Sequence, residues 1–261
     1  MVVQTDKGLG PGAIDPREYF RYATRDHIGD TRTYQRLSPG TAAYRATLVR
    51  KLLEKWIRTY LDVLSKEERQ CICTHLRLNE EPWDFLYLLF KVHNILLKTS
   101  PVVSYCGNLL QPLGKLISEW LQPLANMHKF YFQDSFTLKK ELDLKKIPSN
   151  THLFICGATS LYTNIKTGPA LHCIIQFALE HKEPMTVPPV VLLDEIRLLM
   201  TNNVFQFGEI YWLQKVVTAM GAPPAPPWAT IFFGIHEETV LAQFGNKLQL
   251  YRCLINNVIG I

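Results

Sequence analysis

Thr218-Ala-Met-Gly-Ala-Pro-Pro-Ala-Pro-Pro-Trp-Ala-Thr230 holds four prolines within residues 223–227. Such a run is neither helix interior nor central strand, because each proline fixes φ and removes an N–H donor. The Met220-Gly221 step before it lets backbone approach a neighbour closely at Gly221. The prolines then suit the first turn of a helix over residues 228–243. A plain loop leading into a proline-initiated helix is the competing reading. Upstream, Val204-Phe-Gln-Phe207, Gly208-Glu209 and Ile210-Tyr-Trp-Leu213 read as a hairpin with glycine first in the turn. Downstream, Leu248–Leu254 and Val258–Ile261 are apolar runs separated by Asn256-Asn257, a dipeptide suited to a tight turn.

Further from this stretch, Val49, Leu52, Leu53, Trp56, Ile57, Tyr60, Leu61 and Leu64 follow the spacing of one helix face. Ser65 and Glu68 form a capping-box pair that opens the next helix. Leu109, Leu113, Leu116, Ile117, Trp120, Leu121 and Leu124 trace another amphipathic face. His152–Cys156 is a short strand, and residues 168–181 and 189–202 are helical. Residues 1–40 are rich in Gly, Pro, Asp, Arg and Thr and read as a loose arm. A helical region over 41–100 and a mixed region over 101–261 follow. No repeat is visible, and the irregular order of strands and helices predicts an α+β fold.

The 261 residues are 47% apolar, with 28 Lys+Arg, 23 Asp+Glu and a net charge of +5. This excludes a disordered chain, a collagen-like repeat and a disulfide miniprotein. No apolar run reaches the roughly 18 residues of a membrane span. The first residues lack the basic cap and apolar stretch of a secretory signal. The six cysteines lie scattered in apolar segments, which predicts buried thiols and an intracellular location, nucleus or cytoplasm. Residues 1–100 carry 16 basic and 12 acidic groups, whereas residues 151–261 carry 6 and 7. A mild basic bias in the first part is compatible with a phosphate-bearing partner and equally with a solvated helical surface.

Cys71-Ile-Cys73-Thr-His75 gathers three possible ligands, but the spacing is wrong for zinc and no second pair exists. No glycine-rich phosphate loop is present, and no histidine accompanies a nucleophile elbow.

Phe90-Lys-Val-His93, Ser100-Pro-Val-Val-Ser-Tyr-Cys-Gly107, Ser160-Leu-Tyr-Thr-Asn-Ile165 and Thr218-Ala-Met-Gly-Ala-Pro-Pro-Ala-Pro226 occur in that order. Together they resemble the fingers and palm of reverse transcriptases from eukaryotic retroelements, nearest the Penelope-like kind. Tyr251-Arg-Cys-Leu-Ile-Asn-Asn-Val-Ile-Gly-Ile261 is similar to the palm hairpin that carries an aromatic-x-Asp-Asp in active members. The likeness spans about residues 80–261. It implies incomplete fingers and palm with a short antiparallel sheet, without a thumb. It also implies an RNA or DNA template–primer as partner, and Mg2+ as the cofactor of active relatives. Lys91 matches the position that grips nucleotide phosphates, and Tyr162 the aromatic beneath the sugar. Gln214, Met220 and Gly221 match the stretch that packs beneath the nucleotide and template base.

The sequence departs from that pattern where metals would bind. The first palm aspartate is replaced by Gly157, and the two hairpin aspartates by Asn256 and Asn257. Ser100, Asn94 and Val217 replace a usual arginine, lysine and glycine. The resemblance therefore implies an RNA-directed DNA polymerase domain without catalysis or resident cofactor. The alternatives are an active polymerase, or a non-catalytic nucleic-acid-binding or protein-interaction module on the same scaffold. Asp194, Glu195, Glu209, Glu237 and Glu238 are the carboxylates weighed as substitutes. Asp194 and Glu195 read as an exposed helix face. An uncovered sheet edge further predicts self-association.

Overall fold

A computed structural model describes residues 1–78, 82–93, 95–159, 161–181, 185–216, 218, 220–244 and 247–261. Ser160, Asn94, Val217 and Ala219 of the motif segments lie outside the described residues. In chain order the elements are β1 (Val2–Gln4), β2 (Pro11–Ala13), α1 (Pro16–Ala23), β3 (Tyr34–Leu37), α2 (Pro39–Thr59), α3 (Lys66–Leu78), β4 (Asp84–Lys91) and β5 (Lys98–Val103). There follow α4 (Gln111–Asn126), α5 (Ser135–Asp143), β6 (Phe154–Gly157), α6 (Leu161–Asn164), α7 (Thr167–Glu180) and α8 (Pro189–Thr201). The chain ends with β7 (Val204–Phe207), β8 (Ile210–Gln214), α9 (Ala225–Leu241), β9 (Tyr251–Leu254) and β10 (Asn257–Gly260). The fold is α+β.

Many boundaries follow from local chemistry. Asp15 accepts the N–H of Arg17 ahead of Pro16, and Ser38 accepts that of Thr41 ahead of Pro39. These are caps with proline in the first turn. Ser65 and Glu68 exchange hydrogen bonds, the Ser65 N–H to Glu68 Oε2 at 2.6 Å and the Glu68 N–H to Ser65 Oγ at 3.1 Å. The capping box is therefore formed. Gly208 holds φ +61° in the β7–β8 hairpin turn, a left-handed conformation that glycine adopts without a Cβ penalty.

The first forty residues differ from the loose arm expected. β3 pairs antiparallel with β8, and Tyr19, Ala23, Ile28, Tyr34 and Leu37 are buried. The partners of this segment lie near residues 90 and 210, so its own pattern carries no sign of them. A five-stranded sheet runs β3-β8-β7-β4-β5, and a three-stranded sheet runs β6-β10-β9. β4 joins β7 in parallel through Asp84–Phe205 and Phe85–Gln206. α4 is the central helix, burying Leu113, Ile117, Leu121 and Leu124 against α8 and α9. A Cβ on Gly114 would stand 3.1 Å from Pro223, so the proline segment is pressed onto α4.

The cysteines also differ from expectation. Only Cys253 is buried, while Cys71, Cys106 and Cys156 are exposed, and all six are free thiols. Apolar neighbours in sequence do not fix which side of an element a cysteine occupies. No helix among the described residues is long and apolar enough to cross a membrane.

Candidate functional site

Gly157 closes β6 and Asn257 opens β10, and the two are register partners in the antiparallel pair. The Ala158 N–H donates to the Asn256 carbonyl at 2.7 Å. A Cβ built on Gly157 would lie 3.4 Å from the Asn256 carbonyl oxygen and 3.6 Å from Asn257 Oδ1. Residues 157, 256 and 257 therefore meet at one end of one sheet. Asn257 Nδ2 donates to Asn256 Oδ1 at 3.3 Å, so the two amides bond to each other.

The hairpin turn is one residue earlier than expected. It occupies Ile255-Asn256, because the ladder pairs Leu254 with Asn257 and draws Asn257 into the strand. Ile255 consequently holds φ +56°, at a cost of about 1–2 kcal/mol for a β-branched residue.

The other motif segments are hydrogen-bonded in series. Phe90 and Lys91 of β4 face Thr99 and Lys98 of β5. The Val103 N–H donates to Met220 O at 2.9 Å, and a Cβ on Gly221 would fall 2.0 Å from the Val103 carbonyl oxygen. Gly221, at φ +102°, thus makes the close backbone approach expected of it. The Thr218 N–H donates to Ile165 O at 3.2 Å, and the Thr167 N–H to Val216 O at 2.9 Å. Residues 161–165 begin four positions after Gly157. Tyr162 is half-buried against the core, and that burial raises its hydroxyl pKa. Gln214 is buried at the end of β8 beside Tyr34. Lys91 stands at the end of β4–β5 away from Val103. Met220 and Gly221 pack on the five-stranded sheet, whereas residues 157, 256 and 257 belong to the three-stranded one.

The carboxylates weighed as substitutes lie elsewhere. Glu195 is fully buried rather than exposed, since it shares a helix face with Val191, Leu192 and Leu199. Neither of its carboxylate oxygens has a partner among the described residues, and burial pushes its pKa well above the usual carboxylate value. Asp194 accepts the Tyr60 hydroxyl at 2.5 Å. Glu209 sits in the β7–β8 turn. Glu237 is buried and accepts the Tyr251 hydroxyl. Residues 251 and 253 point to the sheet face opposite that of residues 254 and 257, so Glu237 lies beneath the candidate site. Glu238 lies 3.6 Å from His128 Nδ1.

Sequence reasoning missed Glu141. It forms a two-pronged ion pair with Arg252, at 2.7 and 2.5 Å. Arg252 shares a sheet face with Leu254 and Asn257. Glu141 is thus held on the sheet face that carries Asn257, and the Arg252 guanidinium already satisfies it. A contact between residues 111 apart leaves no local signal.

Mg2+ takes hard oxygen ligands, typically one or two carboxylates, in near-octahedral geometry. The site offers neutral amides, one carbonyl already accepting a hydrogen bond, and a glycine. Two divalent ions about 4 Å apart repel by about 16 kcal/mol at an effective dielectric of about 20. Among the described residues no carboxylate is recorded against Gly157, Asn256 or Asn257 to offset this, so the residues present do not fit a two-metal centre. Among the described residues no group of three or more His, Cys, Asp and Glu could hold a metal ion. Cys71, Cys73 and His75 lie along α3, where His75 Nε2 bonds the Asn108 carbonyl at 2.8 Å.

No protein-family model matches the chain, and no curated protein matches it. Among solved structures it is similar to telomerase from Candida albicans in complex with the TWJ fragment of telomeric RNA, at 11% identity and TM-score 0.49, covering 81% of this chain and 42% of that one. It is also similar to apo telomerase from Candida tropicalis truncated from its C-terminal domain, at 9% identity and TM-score 0.49, covering 82% of this chain and 48% of that one. The chain spans less than half the length of either.

Proposed function

We propose that this chain is a reverse-transcriptase-like fingers and palm of the eukaryotic retroelement kind, nearest the Penelope-like group, that does not catalyse nucleotide addition. One observation supports this above the others. The three positions named by motif alone, Gly157, Asn256 and Asn257, meet at the paired ends of β6 and β10. The neutral chemistry of all three supports the loss of catalysis, and so does the Arg252 clamp on Glu141. The test is Mg2+-dependent primer extension on an RNA template. The unmodified chain is expected to add no nucleotide; template-directed product would overturn the reading.

A specific feature favours retained nucleic-acid binding as its role. Lys91 and Lys98 face each other directly across β4–β5, and like charges so placed destabilise a ladder unless an anion lies between them. A phosphate backbone would supply that anion. Binding of a primer–template duplex is then expected to weaken steeply with salt, and Lys91→Ala to flatten that dependence. Salt-independent binding, or none, would leave an interaction module instead. The reading carries an intracellular location, nuclear or cytoplasmic, with no resident metal.

A further inference from the structure

α2 buries one face through Val49, Leu53 and Ile57, yet its opposite face is not polar throughout. Tyr44 is 70% exposed, Leu48 38% and Leu52 36%. Steps of four residues put these side chains in one row along the helix, about 12 Å long at about 1.5 Å of rise per residue. A single exposed leucine is ordinary on a protein surface. Three large apolar side chains in a continuous row mark a contact surface.

The charges beside the row have one sign. α2 carries five basic residues and one carboxylate. Arg58 pairs with Glu54 at 3.5 Å, and Arg50 donates to the Leu76 carbonyl of α3. Arg45, Lys51 and Lys55 form no ion pair among the described residues. At about 100° of turn per residue, Lys51 and Lys55 fall along one side of the row and Arg45 along the other. An amphipathic helix with apolar residues in the middle and carboxylates on both flanks carries the reverse pattern. A phosphate backbone would meet the cations but leave the apolar row in water. The same face of a second copy would set cations against cations.

We propose that this face of α2 docks a short acidic amphipathic helix of a protein partner. The partner's apolar residues cover Tyr44, Leu48 and Leu52, and its carboxylates meet Arg45, Lys51 and Lys55. The row matches about two turns of helix, so the contact is a transient one, with Kd on the order of 10 μM. It uses none of the residues of the polymerase-like or nucleic-acid readings, so either can fail without the other.

The test is fluorescence anisotropy of the full chain with fluorescein-(Leu-Glu-Glu-Leu-Leu-Glu-Glu)2-amide. Controls are the same peptide with alanine for leucine, the same peptide with lysine for glutamate, and a labelled single-stranded RNA. The acidic leucine peptide is expected to bind at least tenfold tighter than either peptide control. Tyr44→Ala/Leu48→Ala and Lys51→Glu/Lys55→Glu are each expected to weaken it at least fivefold. All four positions are exposed, so both variants are expected to keep the wild-type circular dichroism and Tm. Equal binding of the leucine and alanine peptides would overturn the proposal, as would undiminished binding in both folded variants. RNA binding that falls in Lys51→Glu/Lys55→Glu but not in Tyr44→Ala/Leu48→Ala would assign the face to nucleic acid and overturn it. Self-association abolished by Tyr44→Ala/Leu48→Ala would assign it to a second copy, with the same consequence.

A second measurement needs no substitution. Amide NMR shifts induced by the acidic leucine peptide are expected to concentrate within residues 44–55. Shifts centred elsewhere, or none at a peptide concentration of about 1 mM, overturn the proposal whether or not the variants fold.

Discussion

Asn257 lies directly across the β6–β10 ladder from Gly157, with Asn257 Oδ1 3.6 Å from where a Cβ on that glycine would stand. The distance is ordinary van der Waals contact, so a side chain at 157 would reach the amide of 257 without moving backbone. Gly157→Asp is therefore expected to fold, with a change in stability within about 1 kcal/mol by urea unfolding. A collapse of stability would show that the site is sterically closed.

Gly221 is the opposite case. At φ +102°, a Cβ there would fall 2.0 Å from the Val103 carbonyl oxygen. Gly221→Ala is expected to cost about 3 kcal/mol, from left-handed strain plus the forced parting of β5 and the proline segment. Urea denaturation measures it, and a loss below about 1 kcal/mol would contradict the close approach.

Glu195 gives a pH-dependent expectation. Its folded pKa is raised by burial, so the folded state holds a proton that the unfolded state releases above the ordinary glutamate value. Stability from this group is full at low pH and falls as pH rises through the carboxylate range and beyond. Glu195→Gln is expected to raise Tm at pH 7.5 and to change it far less at pH 4. Equal shifts at both pH values would mean that the carboxyl is not held neutral.

β6 is an edge strand whose outer side has no partner among the described residues; Ile155 on it is 74% exposed, and Leu153 just before it is 62% exposed. Apolar edge strands pair with other chains. The protein is expected to self-associate with rising concentration in analytical ultracentrifugation, and Ile155→Lys to suppress this without lowering Tm. A monomer at all concentrations would contradict it.

Much of this architecture is legible in the sequence where local chemistry dominates. Gly208-Glu209 fixes a hairpin, Ser65 and Glu68 cap a helix, and the apolar period of 109–124 marks the central helix. The motif spacing also picks out residues 157, 256 and 257, which meet in space. What stays hidden depends on distant partners. β3 gains its strand from β8. Glu195 becomes buried because of what packs on its helix face, which a stretch already apolar on several sides does not reveal. Glu141 is neutralised from Arg252 across a separation no window spans. The hairpin turn shifts by one residue because ladder register outweighs the preference of an Asn-Asn pair for the turn itself.

The most direct measurement follows the amide NMR signals of residues 157, 256 and 257 while Mn2+ is added at micromolar concentration. Paramagnetic broadening reports an ion held at the site, whatever its chemistry. The unmodified chain is expected to show no selective broadening there, whereas the Gly157→Asp/Asn256→Asp/Asn257→Asp variant is expected to show it. Selective broadening of these three signals in the unmodified chain would contradict the account.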